Sequence, residues 1–297
     1  MNSKRVALYG LGNMGYVVAE RLAQHFPLKV SDLNTAMMDK AQAVFDALPI
    51  TAVEQVADVD VVVLCLPSPA ASQAVLRSIA PHLSPNVIVV ETSTVNPSDI
   101  QASAAVLKPY GITMIDASIM AGVSQMAAGN AMLLVGGDDA AYAACEDVLL
   151  AIAPRCIRFG ALGSGAAAKV INNAVAHAVM VVVAEAGSMA TAAGVDCAKL
   201  VGLLSDPQMG LHRPLTHRYA ERIMQGNYSG GMPLEAARKD SVLALELAQS
   251  LGVPLFAIQG SHTIYEIAQS AGYGREDYAA IAKVWADWGR PAVPPAV

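Results

Sequence analysis

Charge is scarce in this chain: 15% of its 297 residues are Asp, Glu, Lys or Arg, and neither lysine nor arginine forms a run. The 19 basic residues are outnumbered by 25 acidic ones, for a net charge of -6. That balance lacks the basic footprint on which nucleic-acid binding depends. Cysteine is also sparse. Cys65, Cys145, Cys156 and Cys197 stand far apart with no CxxC pair, so neither a metal site nor a disulfide framework is indicated. Free thiols in a reducing cytoplasm are the expectation. The opening MNSKRVALYG runs directly into a strand-like segment without the apolar stretch and small-residue cleavage site of a secretory signal. The longest apolar stretch, 170 to 184, falls short of the ~20 residues that span a bilayer and carries Asn172, Asn173 and His177. It is expected to be a buried helix, and no membrane association is anticipated.

What the chain does have is apolar surface to bury. Hydrophobic residues make up 54% of it, enough for a large core and a subunit interface, and its length suits two domains. The first half alternates strand-like and helical segments. Val6 to Tyr9 is followed by a glycine-rich turn and a helical stretch, and LKVSD from Leu28 by another. DVDVVVLCLP then has the valine-rich form of a strand buried on both faces, and NVIVVETST, ITMIDAS, AMLLVGG and CIRFG continue the sheet. This is the pattern of a doubly wound α/β domain with right-handed crossovers. From Gly163 onward the strand signals stop and helical segments follow, near Ala198, Leu215, Leu234 to Ser250 and His262 to Ser270. The expected organisation is an α/β domain over 1–162, a helical one over 163–290 and a proline-rich extended tail over 291–297.

GLGNMG comprises Gly10, Leu11, Gly12, Asn13, Met14 and Gly15. The GxGxxG spacing alone is weak. Here a strand precedes it, a helix follows, and Asp32 closes the next strand, which completes the context of a dinucleotide-binding turn. Gly10 would permit the tight turn, Gly12 the approach of a pyrophosphate, and Gly15 close packing of helix on strand. Asp32 would accept from the ribose hydroxyls and repel a 2′-phosphate. The following Leu33-Asn34-Thr35 contains no arginine to offset that repulsion, so NAD is expected over NADP. Further along, Lys169, Asn173 and His177 share one face of an otherwise apolar helix. A lysine in an apolar cleft has its charged form disfavoured and can exchange protons near neutral pH, although a lysine whose stem is buried while its ammonium reaches water fits the same spacing.

Four blocks in order carry a resemblance over nearly the whole chain: GLGNMG, DASIMAGVSQMAAGNAMLLVGG from Asp116, GSGAAAKVINN from Gly163, and RKD at Arg238 to Asp240. Together they resemble the β-hydroxyacid dehydrogenase family, which includes 3-hydroxyisobutyrate dehydrogenase and tartronate semialdehyde reductase and is related to 6-phosphogluconate dehydrogenase. The resemblance implies a Rossmann-type domain, a long interdomain helix, an all-α C-terminal domain, an active site in the cleft, and homodimers or homotetramers joined through the helical part. It implies that Lys169 is the catalytic lysine with Asn173 as its partner. Leu66, Pro67 and Thr94 match cofactor-contacting positions, and Lys239 matches a lysine that reaches the cofactor from the C-terminal domain. Met120, Ala121 and Gly122 match the substrate-binding block. That block departs from the family pattern, with Met120 where a serine usually binds the substrate carboxylate and Ala121 where a glycine stands. Backbone N–H groups of Ala121 and Gly122 could still hold a carboxylate. His212 and Arg213 could restore charge or be exposed surface residues.

The expected activity is NAD-dependent oxidation of the 3-hydroxyl of a small hydroxyacid-like substrate, or the reverse reduction, with lysine as acid and base. Two alternatives stay open at this point. One is reduction of a bulkier, less polar carbonyl or imine in the same cleft, with Lys169 counting against the imine. The other is a dinucleotide-binding regulatory protein without turnover.

Overall fold

The computed structural model describes residues 3–293 and divides into two compact units, Met1–Ala174 and Val175–Val297. Residues 294–297 of the expected tail lie outside the described residues.

The first unit runs β1 (Val6–Tyr9), α1 (Asn13–Ala23), β2 (Leu28–Ser31), α2 (Thr35–Phe45), β3 (Leu48–Pro49), β4 (Val61–Leu64), α3 (Pro69–Ile79), β5 (Ile88–Glu91), α4 (Pro97–Leu107), β6 (Thr113–Met120), α5 (Val123–Ala127), β7 (Met132–Gly136), α6 (Asp139–Ile152) and β8 (Arg155–Gly160). Among the described residues, eight strands form one sheet in the order β3-β2-β1-β4-β5-β6-β7-β8. Strand alternation sorts side chains into two cores, one on each face. Val6, Leu8, Val61, Val63, Val90 and Ile115 pack with Val18, Leu22, Val148 and Leu149 of α1 and α6. Ala7, Tyr9, Val62, Leu64, Val89 and Met114 pack with Leu76, Ile79, Ile100 and Leu107 of α3 and α4. Burial on both faces is why these strands read as continuous apolar runs.

The sheet is Rossmann-like, with one departure from the expected crossovers. β6 and β7 pair antiparallel, Asp116 opposite Gly136 and Met120 opposite Met132. Only the five-residue α5 lies in the connection between them, and a parallel crossover needs a dozen residues or more. β3 escaped the sequence reading because it is two residues long and ends in proline at the sheet edge.

α7 (Ser164–Ala192) begins in the first unit and continues into the second. The sequence reading put the domain boundary at the start of this helix, whereas the compact units divide inside it. The second unit continues with α8 (Cys197–Ser205), a π-helical segment (Pro214–Ile223), α9 (Leu234–Leu251), α10 (Ala257–Ser270) and α11 (Ala282–Asp287). Its core is small: Leu234, Ala268, Ala280 and Val284, flanked by Tyr228, Tyr265, Tyr273 and Tyr278. Polar anchors reinforce it. The buried Asp277 faces Arg218 at 3.2 Å and Arg222 at 3.5 Å. Glu185 of α7 accepts the N–H groups of Phe256, Ala257 and Ile258 at 2.6, 2.8 and 3.0 Å, capping α10. Burial pushes the Glu185 carboxyl up, but these three bonds outweigh it and hold the group below the usual carboxylate range.

The expectation that residues 170–184 are buried is not met. Ile171 is 64% and Met180 62% exposed in the single chain, and Val175 and Val181 are exposed too. At 29 residues α7 is also long and apolar enough to cross a membrane by length and composition. The core of the second unit, built on Leu234, Ala268, Ala280 and Val284, takes no residue from α7.

Candidate active site

Three chain segments build a cavity of about 550 Å³ at the carboxyl ends of β1, β2 and β4. Gly10, Gly12, Asn13, Met14 and Gly15 form its floor at the N-terminus of α1, Asp32 and Leu33 one wall, and Leu66 and Pro67 another. Gly10 has φ +99°, and a Cβ there would collide with the Cys65 carbonyl oxygen, while one on Gly15 would collide with that of Gly10. Packing therefore demands both glycines. Gly12 differs, because a Cβ there would meet no protein atom within 4 Å. Nothing in the fold explains the missing side chain at Gly12. A ligand lying against the helix N-terminus does, and the free N–H groups and positive dipole there suit a pyrophosphate. The residues present thus fit a dinucleotide.

Asp32 is already engaged with the backbone. Its carboxylate accepts from Leu11 N–H at 2.6 Å and Asn34 N–H at 2.8 Å, tying the glycine-rich turn to the loop after β2. A carboxylate has about four acceptor sites, so capacity for ribose hydroxyls remains. Lys40, a cation the sequence reading passed over, lines an adjoining cavity with Asp32 and Asn34 and stacks 4.6 Å from the Tyr16 ring.

Beneath the Leu66-Pro67 wall lies a network that sequence reasoning missed. Ser93 Oγ accepts from Leu66 N–H at 2.8 Å, Ser93 N–H donates to Glu91 Oε1 at 2.9 Å, and Thr92 Oγ1 donates to the Leu64 carbonyl at 2.6 Å. Glu91 is buried, and burial pushes its carboxyl above the usual range despite hydrogen bonds from Ser93 and Ser72. The available signal was ETST, a polar run directly after a fully buried strand. Thr94, expected at the cofactor, is exposed outside the cavity wall.

Lys169 lies on α7, whose start is held by a strand. Asp116 of β6 is fully buried and accepts from Gly163 N–H at 2.6 Å and Ala166 N–H at 2.7 Å. Burial pushes its carboxyl up, against the opposing effect of these bonds. The cap fixes α7 against β6, so that Met120 at the end of β6 meets the first turns of the helix. Lys169 Nζ donates to Met120 Sδ at 3.7 Å and Asn172 Nδ2 to the same sulfur at 3.5 Å. Lys169 is 9% exposed, and burial lowers its pKa from the ordinary lysine value. Among the described residues no carboxylate pairs with it. Asn173 Oδ1 accepts from Asn172 at 3.5 Å rather than from the lysine. Of the substrate block, Gly122 N–H is taken by Gln125 Oε1 at 2.9 Å, which counts against its holding a carboxylate unassisted.

Two family models together match residues 5–285. Residues 5–163 match the NAD binding domain of 6-phosphogluconate dehydrogenase, and residues 163–285 match the NAD-binding domain of NADP-dependent 3-hydroxyisobutyrate dehydrogenase. The chain belongs to the β-hydroxyacid dehydrogenase family. Among its relatives in the family, an L-threonate dehydrogenase of Cupriavidus necator is 28% identical over 288 residues, covering 95% of this chain and 96% of that protein. The mitochondrial 3-hydroxyisobutyrate dehydrogenase of Rattus norvegicus is 27% identical over 285 residues, covering 93% and 85%. An imine reductase structure from Pseudomonas sp. has a TM-score of 0.81 at 23% identity, covering 95% and 99%, a likeness of fold.

Of the positions carried over from the family, the first unit gathers the glycine-rich turn, Asp32, Leu66 and Pro67 around one cavity, and Lys169 with Met120 in another cluster. Lys239 belongs to the second unit, where its side chain is 67% exposed and pairs with Asp240 at 3.1 Å. His177, His212 and Arg213 are exposed. In the sequence Asn172 is only a polar interruption of an apolar run, and its contact with Met120 is not legible there.

Proposed function

We propose that the protein oxidises the 3-hydroxyl of a hydroxyacid-like substrate with NAD, or reduces the corresponding carbonyl. The observation that carries this reading is the buried Lys169, whose pKa is lowered by burial and whose polar partner is a thioether rather than a carboxylate. A lysine in an ion pair would hold its proton; one facing sulfur is free to take a proton at Nζ from a substrate hydroxyl and return it in the reverse direction. The nicotinamide cofactor, when bound, supplies the hydride chemistry. Gly10, Leu11, Gly12, Asn13, Met14 and Gly15 would hold its phosphates, Asp32 the ribose, and Leu66 and Pro67 the nicotinamide side, while a cofactor role for Thr94 and Lys239 rests on the family resemblance alone. Asn173 would orient the substrate hydroxyl, and Met120, Ala121 and Gly122 would line its acid side.

NAD is the preferred cofactor in this reading, because Asp32 opposes a 2′-phosphate and Lys40 is engaged with the Tyr16 ring. A second reading, reduction of a bulkier and less polar carbonyl or imine, draws support from Met120, which removes a hydroxyl donor and adds a polarizable surface. The exposed apolar stripe of α7 supports a homodimer or homotetramer in which a second copy covers it. The four free cysteines fit a reducing, cytoplasmic setting. The deciding experiment is NAD reduction by the purified chain across 3-hydroxyacids, 3-hydroxy amino acids and simple alcohols. Turnover of none of these, with intact NADH binding, would favour the regulatory alternative.

A further inference from the structure

Met120 has an arrangement that its role as a substrate-lining residue does not require. Two N–H donors, Lys169 Nζ at 3.7 Å and Asn172 Nδ2 at 3.5 Å, converge on one sulfur. A thioether is a weak acceptor, so these contacts hold little. Replacing it by a strong acceptor at the same place would change the lysine while leaving the backbone where it is. Oxidation of methionine does this: the sulfoxide carries a polar oxygen, and the reaction is reversible. Met120 is half-buried at the end of β6, within reach of a small oxidant.

We propose that Met120 is a site of reversible oxidation by peroxide, and that its sulfoxide oxygen binds the Lys169 ammonium and the Asn172 amide and slows the oxidative direction of the reaction. In the step, a sulfur lone pair attacks one peroxide oxygen, the O–O bond breaks and an S–O bond forms. The departing hydroxide takes the proton of the transferred oxygen and leaves as water. Sulfur is oxidised by two electrons and the peroxide reduced by two. A thiol-dependent methionine sulfoxide reductase reverses the change.

The consequence follows from charge-assisted hydrogen bonding, which favours the charged donor. In the reduced protein burial alone displaces Lys169 toward its neutral form. The titratable groups of the neighbouring strands are occupied elsewhere, Asp116 with Gly163 and Ala166 and Glu91 with Ser93. The sulfoxide would therefore be the strongest polar partner of the lysine. Proton uptake from a hydroxyl then needs a higher pH, whereas proton donation in the reductive direction is spared. This inference rests on Lys169 being the proton-exchanging group.

The test treats the purified full-length protein with graded hydrogen peroxide and then dithiothreitol, which restores thiols such as Cys65 without touching sulfoxides. Oxygen at Met120 is followed by peptide mass spectrometry and NAD-coupled oxidation by its pH profile. The exposed Met180, Met209 and Met224 should oxidise first, without effect on the rate. Activity should then fall with the fraction of Met120 oxidised. The profile should move up by about one pH unit, roughly a tenfold loss on its rising limb, and sulfoxide reductase should restore it. Met120→Leu, compared with its own untreated rate, should resist the treatment. Activity lost with Met120 unmodified, an unmoved profile with Met120 fully oxidised, or equal inactivation of the leucine variant would each overturn the proposal. Untreated Lys169→Ala separates the two levels. If it turns over normally, the base assignment itself fails. If it is inactive while the sulfoxide protein is unaffected, the switch alone fails.

Discussion

Removing the Asp116 carboxylate should loosen the start of the helix that carries Lys169. Its two oxygens accept from Gly163 and Ala166 N–H at 2.6 and 2.7 Å, where α7 begins and three residues before Lys169. A hydrogen bond to a charged acceptor contributes ~1.5–3 kcal/mol, so two suggest about 3–6 kcal/mol. Burial pushes this carboxyl above its usual range, so desolvation outweighs what the bonds give its charged form, and the expected loss for Asp116→Ala, about 3 kcal/mol, comes from leaving two buried N–H groups without an acceptor. Asp116→Asn keeps the shape and one acceptor but turns an NH2 toward a backbone N–H, for a loss of about 2 kcal/mol. Against the ~5–15 kcal/mol that holds a domain together, either change is large. Urea unfolding at pH 7 measures it, with kcat followed at a denaturant-free temperature where both variants are folded. The rate should fall as well, because the start of α7 is then no longer fixed against β6 and Lys169 shifts relative to Met120. An alanine variant within 0.5 kcal/mol of the parent, with unchanged kcat, would refute the view that this carboxylate positions the helix.

Further outcomes follow from the same site. Lys169→Ala should lower kcat roughly 10²–10⁴-fold with NADH binding nearly intact, and should abolish a single ionisation, below the ordinary lysine range, through which the parent's oxidation rate rises; near-normal turnover makes the lysine structural. Because burial raises the Glu91 pKa, the folded state keeps this proton to higher pH than the unfolded chain does, and stability falls as pH rises from about 4.5 through the folded value. Glu91→Gln should therefore gain stability relative to the parent in thermal melts as pH is raised above about 4.5, and a pH-independent difference would contradict the assignment. kcat/KM with NAD should exceed that with NADP at least tenfold, on the order of 1.4 kcal/mol; equal use of NADP by the purified enzyme defeats the reading of Asp32. Met120→Ser should shift preference toward small hydroxyacids over aryl-substituted analogues by about ten- to a hundredfold, as read from kinetics on one such pair.

The local features of this protein were legible in its sequence. A strand, glycine-rich turn and helix lie within about twenty residues, and both the valine-rich strands and the polar stripe of Lys169 follow periodicities of the backbone itself. Such features depend on neighbours along the chain, so the GxGxxG turn, Asp32 and the Rossmann-like first half are legible in the sequence alone. Tertiary structure alone decided what crosses long separations. Met120 and Lys169 stand 49 residues apart, and Asp116 and Ala166 stand 50 apart. No local pattern announces that a strand end will face a helix or that a carboxylate will cap one from another element. The antiparallel turn of β7 was hidden for a related reason, since a strand's direction is set by how far its connection can reach. Exposure was the least legible property of all. An apolar run states that it must be covered, but whether its own chain has enough surface to cover it depends on how all the other elements have packed, and α7 is left largely bare.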